Sequence, residues 1–245
     1  EDGTMISLGE IDMRDMEIEN SGDFILYLGG AETSKNYLPM PKSANMLIVR
    51  QTYKNRIKQN HAKINIKNLG SKPIPELLTT EKLENQLNQT LAFVSGTAST
   101  FLKWVNEFKL NHKNSLPLGD QSFFQAAGGD PKICYLHGYY EFNEDECLQI
   151  ITDIPECEYW NFQLENYWME SLDYRHYPIH INDSSATLEN DNSIIITISH
   201  TPINIKNNLI TEGRNNGAML LRWIGSTNNP IPEVKIKKIE SIEIN

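Results

Sequence analysis

The sequence predicts a mainly β protein with a helical insert, made of two related jelly-roll-like barrels or sandwiches, of which the N-terminal one is incomplete or abbreviated. Three observations lead to this fold class. Short β-branched and aromatic runs separated by turn residues fill both ends of the chain. A long stretch between them has helical periodicity, and the strand patterns at the two ends resemble each other.

The predicted strands are short apolar runs bounded by Gly, Pro, Asn and Ser. In the N-terminal part they are residues 23–28, 46–51 and 62–68. In the C-terminal part they are residues 133–142, 147–152, 158–164, 193–199, 217–224 and 234–239. Many short strands with turns between them are typical of β sandwiches and barrels.

The stretch after Thr80 predicts an amphipathic helix, with Thr80 as its N-cap. Apolar residues recur there every three or four positions, at Leu83, Leu87, Leu91, Val94, Ala98, Leu102, Val105 and Phe108. Gly96 lies inside this pattern and costs about 1 kcal/mol relative to Ala, so a break into two helices is an alternative. A shorter helix is predicted over residues 122–127.

Residues 22–68 and 191–240 share four elements in the same order. These are a polar turn with a strand, an Asn-x-Leu triplet, a strand near a Met-Leu pair and an alternating strand. We therefore expect a partial β unit over 1–70, a helical connector over 71–130 and a jelly-roll-like domain over 131–245. The first unit would be completed by the helical segment, by self-association with a partner chain or by a missing N-terminal segment.

The charge distribution argues against nucleic acid as a partner. The formal net charge is −10, and residues 131–180 contain ten acidic and two basic residues. Such a surface repels phosphate backbones, and no basic stripe with interleaved aromatics is present. No run reaches the roughly 18 apolar residues of a membrane span, and the first thirty residues do not resemble a signal peptide.

The three cysteines, Cys134, Cys147 and Cys157, lack the C-x-x-C spacing of a zinc site and form an odd set for disulfides. We read them as buried apolar side chains in a reducing compartment, and expect a cytoplasmic location and no cofactor. Because the chain begins at Glu1, a removed leader is left open.

Four segments resemble the bacterial family known as domain of unknown function 1214. They are NYLPMPKSANMLIVRQTYKNR at 36–56, GGDPKICYLHGYYEF at 128–142, the stretch 156–200 containing EYWNFQLENYW, and LITEGRNNGAMLLRWIG at 209–225. The resemblance spans nearly the whole chain and implies jelly-roll-like β-barrels with a helical stretch between them. It implies no catalytic residue, because the family has no established activity.

The densest group of candidate ligand-binding residues lies in the predicted strand 158–164. Alternation places Trp160 on one face with Phe162, and Asn161 and Gln163 on the other. Aromatic rings and amides together suit a sugar or another polar ligand with an apolar face. The structural alternative is that the aromatics fill the core and the amides bond to neighbouring backbone groups.

His180 and Arg175 complete the predicted ligand-binding set, which is Trp160, Asn161, Gln163, Arg175 and His180. Arg175 is a candidate clamp for a carboxylate or phosphate, with an ion pair inside a turn as the structural alternative. His137, His176 and His180 are a weaker alternative as metal ligands, because Pro178 prevents a helix that would pair His176 with His180.

Three hypotheses for the function follow. The first is a non-catalytic ligand-binding β-barrel protein for a carbohydrate or an amphipathic small molecule. The second is a metal-assisted or acid-base hydrolase or lyase that uses the histidines and carboxylates of the C-terminal barrel. The third is a structural or assembly module that needs no pocket.

Overall fold

The computed structural model describes residues 5–70 and 77–242. The chain divides into two compact units. The first comprises residues 1–52 and 120–131, and the second comprises residues 53–119 and 132–245. Most of the regular secondary structure lies in the second unit, which holds a long helix and two four-stranded sheets. The prediction of a mainly β protein with a helical element is therefore confirmed.

The first unit contains two very short parallel strands, β1 (Tyr27–Leu28) and β2 (Tyr37–Leu38), and the short helix α2 (Gln121–Ala126). Side chains bonded to backbone groups hold much of it together. The Asn36 amide, for example, accepts from the backbone N–H of Glu17 at 2.6 Å and donates to its carbonyl at 2.7 Å.

The predicted strands at 46–51 and 62–68 are not formed, and only the end of the predicted strand 23–28 is. Their apolar side chains lie exposed, with Val49 at 53% and Ile66 at 80%. A strand needs a ladder of backbone hydrogen bonds to a second strand, and neither segment forms such a ladder with the described residues. Suitable residue types alone did not produce strands here.

The long helix α1 spans Thr80–Asn111 without interruption at Gly96, so the alternative of two helices is wrong. Its N-cap is Thr79, one residue before the predicted cap, and the Thr79 hydroxyl accepts from the backbone N–H of Lys82 at 3.2 Å. Only Val105 and Phe108, near the C-terminal end, are buried. The N-terminal part of the predicted apolar stripe is exposed, at Leu83, Leu87, Leu91 and Val94.

The second unit is a β sandwich of eight strands. They are β3 (Ile133–Glu141), β4 (Glu146–Asp153), β5 (Tyr159–Leu164), β6 (His180–Asn182), β7 (Ser193–Ser199), β8 (Asn208–Ile210), β9 (Asn216–Ile224) and β10 (Glu233–Lys238). One sheet has the order β10-β4-β7-β8 and the other the order β3-β9-β5-β6. All six predicted C-terminal strands are present, whereas β6 and β8, each three residues long, are additional.

The inner faces of the two sheets share one hydrophobic core. Strands β4 and β7 contribute Leu148, Ile150, Ile194 and Ile196, and β5 and β9 contribute Phe162 and Trp223 among others. Trp160 packs against Trp223 in this core, with ring centroids 6.1 Å apart. The two open sheets therefore pack face to face, and the described residues form no closed barrel.

The two units do not follow the predicted boundaries at residues 70 and 130. Helix α1 belongs with the sandwich because its C-terminal end packs on β3, whereas α2 belongs with the N-terminal unit. Among the described helices, none combines the length and apolar character needed to cross a membrane.

Candidate functional site

The candidate site is the outer face of the β3-β9-β5-β6 sheet, which carries polar side chains and which we call the polar face. Strand register aligns its residues in two rows across the sheet. The first row is Tyr135, Arg222, Asn161 and Asn182; the second is His137, Leu220, Gln163 and His180. Glu165 follows Gln163 on the same side of the chain.

Both edges of the polar face are partly covered by other parts of the second unit. At the β3 edge, the Phe108 ring of α1 stacks on His137 with centroids 5.0 Å apart. The segment just after α1 continues this cover, because the backbone N–H of Asn114 donates to the Tyr139 carbonyl at 2.7 Å. These contacts cover the outer edge of β3, provide a hydrogen-bond partner for its backbone and bury His137.

At the β6 edge, residues 54–56 form the opposite cover. The Asn182 amide donates to the carbonyl of Lys54 at 3.0 Å, and the Lys54 ammonium pairs with Asp183 at 2.7 Å. The Arg56 guanidinium lies 4.3 Å from the centroid of the Tyr174 ring. Both edges are therefore only partly covered: His180 of β6 stays exposed, and Tyr135 of β3 stays partly accessible beside the middle strands, β9 and β5.

Arg222 is the charged group in the accessible middle of the polar face. Its Nη1 donates to Oδ1 of Asn161 at 3.3 Å and to Oε1 of Gln163 at 3.1 Å. Arg222, Asn161, Gln163 and Tyr135 are all partly accessible, whereas Leu220 is buried beside them. Burial lowers the pKa of Arg222, but an arginine side chain stays cationic at neutral pH.

Glu165 lies deeper in the same network and is 4% exposed. Its Oε1 accepts from Nε2 of Gln163 at 2.5 Å, and its Oε2 has no hydrogen-bond partner among the described residues. Burial raises the pKa of this carboxyl, although the bond from Gln163 and the charge of Arg222 oppose the shift. Gln163 thus links the Arg222 guanidinium to the Glu165 carboxyl group.

The sequence placed Asn161 and Gln163 on one face and Trp160 on the other, and this alternation is confirmed. Trp160 is 2% exposed and lies in the core, so it cannot line a site on the polar face. Arg175 lies in the turn before β6 and pairs with Asp173 at 2.9 Å. That bond is the main reason why the pKa of Asp173 falls to about 2, and it matches the structural alternative for Arg175.

The three histidines of the metal alternative are not brought together. His137 and His180 lie in one row but on the two outermost strands, roughly 14 Å apart at three strand spacings. His176 lies in the turn before β6, where its backbone N–H donates to the backbone carbonyl of Asp173. Within the described ranges, no three His, Cys, Asp or Glu side chains are placed to hold a metal ion.

Apart from the polar face, the sandwich has a depression of about 540 Å³ at one end, beside Pro178 and Ile210. His200 lines it, and both of its ring nitrogens are engaged, with Thr211 Oγ1 at 2.7 Å and the Phe142 carbonyl at 3.2 Å. The ring also stacks on Phe142 at 4.3 Å. His200 therefore has a structural role in this depression.

Arg222 and Glu165 were not predicted as site residues. Arg222 stands alone as a charge in the apolar strand GAMLLRWI, and such an isolated charge is the signal that could have identified it. Glu165 continues the alternation of Asn161 and Gln163, and this continuation is the signal that could have identified it. Only the register of β9 against β5 shows that Arg222 meets both amides.

Fold and site together define a β-sandwich protein with a partly covered polar outer face. No known family model and no curated protein matches the sequence. Among solved structures, an uncharacterised protein from Burkholderia cenocepacia is 33% identical with a TM-score of 0.92, covering 98% of this chain and 67% of that chain. The chain belongs to the same family as that protein.

A more distant structure is a protein from Vibrio parahaemolyticus. It is 15% identical with a TM-score of 0.38, and the alignment covers 69% of this chain and 48% of that chain. This similarity is too low to carry an argument. Since the Burkholderia cenocepacia protein is itself uncharacterised, the function must be argued from the polar face.

Proposed function

We propose that this protein is a non-catalytic ligand-binding protein whose ligand is a carbohydrate or an amphipathic small molecule. The observation that supports this proposal is the accessible group of Arg222, Asn161 and Gln163 between two partly covered edges of the sheet. The binding site we propose is this group together with Tyr135, which lies beside Arg222 in the same row.

The residue types of this group suit such a ligand. A guanidinium offers several N–H donors in a plane, and each amide offers both donors and acceptors to neighbouring hydroxyl groups. The partly accessible ring of Tyr135 can stack on the apolar face of a sugar ring or contact an alkyl chain. Polar groups that converge beside an aromatic surface are typical of small-molecule sites.

The side chains are also held in position before a ligand arrives. An arginine can only donate, so Gln163 must turn its Oε1 towards Arg222 and its Nε2 towards Glu165. Both ends of the Gln163 amide are therefore fixed. Positioned groups lose less conformational entropy on binding, which favours affinity.

The test is a binding screen of glycans and lipids by saturation-transfer NMR, with every hit repeated on two variants. Gln163→Ala removes the central amide, and we expect it to weaken binding by at least about tenfold. Gln149→Ala is the matched control, because Gln149 lies in β4 of the other sheet, bonded to Thr197 at 3.3 Å. The control should bind as the wild type does.

Two results would contradict the proposal. If no glycan or lipid binds the wild-type chain, the ligand-binding function is wrong. If a ligand binds equally well to Gln163→Ala and to Gln149→Ala, the function stands but the polar face is not its site.

We also propose that the chain belongs with the domain of unknown function 1214 family. The sequence resemblance over 128–142, 156–200 and 209–225 supports this, and those segments contribute β3, β5, β6, β7, β8 and β9 of one sandwich. This membership adds no activity to the proposal.

A further inference from the structure

Arg222 differs from the other arginines of the described chain in its partners. Four of the six arginines pair with a carboxylate, and Arg56 lies over an aromatic ring. The four pairs are Arg14 with Asp12, Arg50 with Asp130, Arg175 with Asp173, and Arg214 with Glu212. Arg222 has no carboxylate oxygen within 4.0 Å among the described residues, although it is more enclosed than an ordinary surface arginine.

Only one side of the Arg222 guanidinium is engaged. Nη1 donates to the two amide oxygens of Asn161 and Gln163. Nε and Nη2 make no hydrogen bond to a described residue, and neither atom is fully buried. These two nitrogens form the edge of a guanidinium that binds a carboxylate through two parallel N–H···O bonds.

Glu165 is the nearest candidate to neutralise Arg222, but it does not do so directly. Its carboxyl contacts Gln163 rather than the guanidinium. Burial raises the pKa of the Glu165 carboxyl, while the bond from Gln163 and the charge of Arg222 oppose that shift. Two amide oxygens orient the cation, and no carboxylate of the described residues contacts it directly.

We propose that the ligand of the polar face carries a carboxylate, which binds the Nε–Nη2 edge of Arg222, as a uronic acid or a fatty acid would. This inference rests on the proposed ligand-binding function and narrows it to an anionic class. A carboxylate matches one guanidinium in both charge and geometry, whereas a phosphate dianion would place two charges against a single cation.

The experiment compares acids with their neutral counterparts on the full chain. The probes are galacturonate with galactose, glucuronate with glucose, and octanoate with octanol, each titrated by isothermal calorimetry. Wild-type protein should bind at least one acid about tenfold or more tightly than its neutral counterpart. The neutral probe lacks the carboxylate and so cannot form the charge-assisted hydrogen bonds with Arg222. Arg222→Met should abolish this preference, and the control Arg175→Met, at the exposed Asp173 pair, should keep it.

If Arg222→Met fails to fold, Arg222→Lys tests the same point, because it keeps the charge but loses the two-donor edge and should reduce the preference. Equal affinity for acid and neutral probe in the wild type would overturn the carboxylate inference and leave the ligand-binding proposal standing. A preference that persists in both Arg222 variants would also overturn it. Failure of every probe and of the glycan and lipid screen would overturn both.

Discussion

Acidification should destabilise the sandwich through His137. This side chain is 5% exposed, between Phe108, Trp104 and Tyr135, with ring centroids 5.0, 6.4 and 6.1 Å away. Burial lowers its pKa to about 3, and the charges of Arg222 and His112 add to the effect. The folded protein therefore keeps His137 neutral at a pH where the unfolded chain would protonate it.

The direction and the size of this loss of stability follow from proton linkage. The unfolded chain binds the additional proton below about pH 6.5, so the free energy of unfolding falls as the pH falls through that value. Each pH unit between the unfolded and folded pKa costs roughly 1.36 kcal/mol. Between about pH 6.5 and about pH 4.5, His137 alone should therefore remove about 2.7 kcal/mol.

The assay is urea unfolding followed by tryptophan fluorescence, because all four tryptophans lie in the second unit. His137→Phe removes the titrating group and keeps a ring against Phe108. Between about pH 7.5 and about pH 4.5, this variant should lose about 2.7 kcal/mol less of its free energy of unfolding than the wild type loses. His176→Phe, at an exposed turn, is the control and should show the wild-type change.

The reasoning is refuted if His137→Phe and His176→Phe lose the same stability on acidification. NMR titration of the His137 ring in the folded protein gives an independent check. A midpoint near that of a free histidine would mean that the packing of α1 on β3 does not exclude the charged form.

Three further changes test the packing. Glu165→Gln should stabilise the protein increasingly as the pH rises above about 4.3, because the folded state resists ionisation of this carboxyl; equal urea midpoints for variant and wild type at neutral pH would contradict this. Gly138→Ala should cost about 3 kcal/mol or more in urea unfolding, since its Cβ would collide with the Ser115 carbonyl and come within 2.9 Å of Met219. Gly96→Ala is the corresponding change in α1, where an added Cβ meets nothing within 4 Å. Because Ala has the higher helix propensity, the free energy of unfolding should rise by up to about 1 kcal/mol in thermal unfolding, and a decrease would contradict this.

The strands of the sandwich could be predicted because each carries its own local pattern. In strand β5, the alternation of Trp160, Asn161, Phe162 and Gln163 indicated both the strand and its two faces. The three-residue strands β6 and β8 carry too few residues for a pattern, and they exist because β5 and β7 offer free edges. Local periodicity therefore identifies long strands and misses short ones.

The N-terminal strands show the limit of the same method. Residues 46–51 and 62–68 have the composition of strands, yet the structure assigns no strand to either segment. The described residues supply no partner strand in register with either segment, and the presence of a partner strand is a property of the tertiary structure. Helix α1 is comparable, since its apolar stripe continues beyond the part that the sheet covers.

The sequence by itself determined that the protein is mainly β, together with the six longer strands of the second unit, the long helix and the separation of Asn161 and Gln163 from Trp160. Each of these depends on the order of side chains along one segment. Only the tertiary structure decided which residues meet: it brought Arg222 to both amides, left Arg175 with Asp173 and kept the histidines apart. Strand register and the cover of each edge set these distances, and both arise from segments far apart in the sequence.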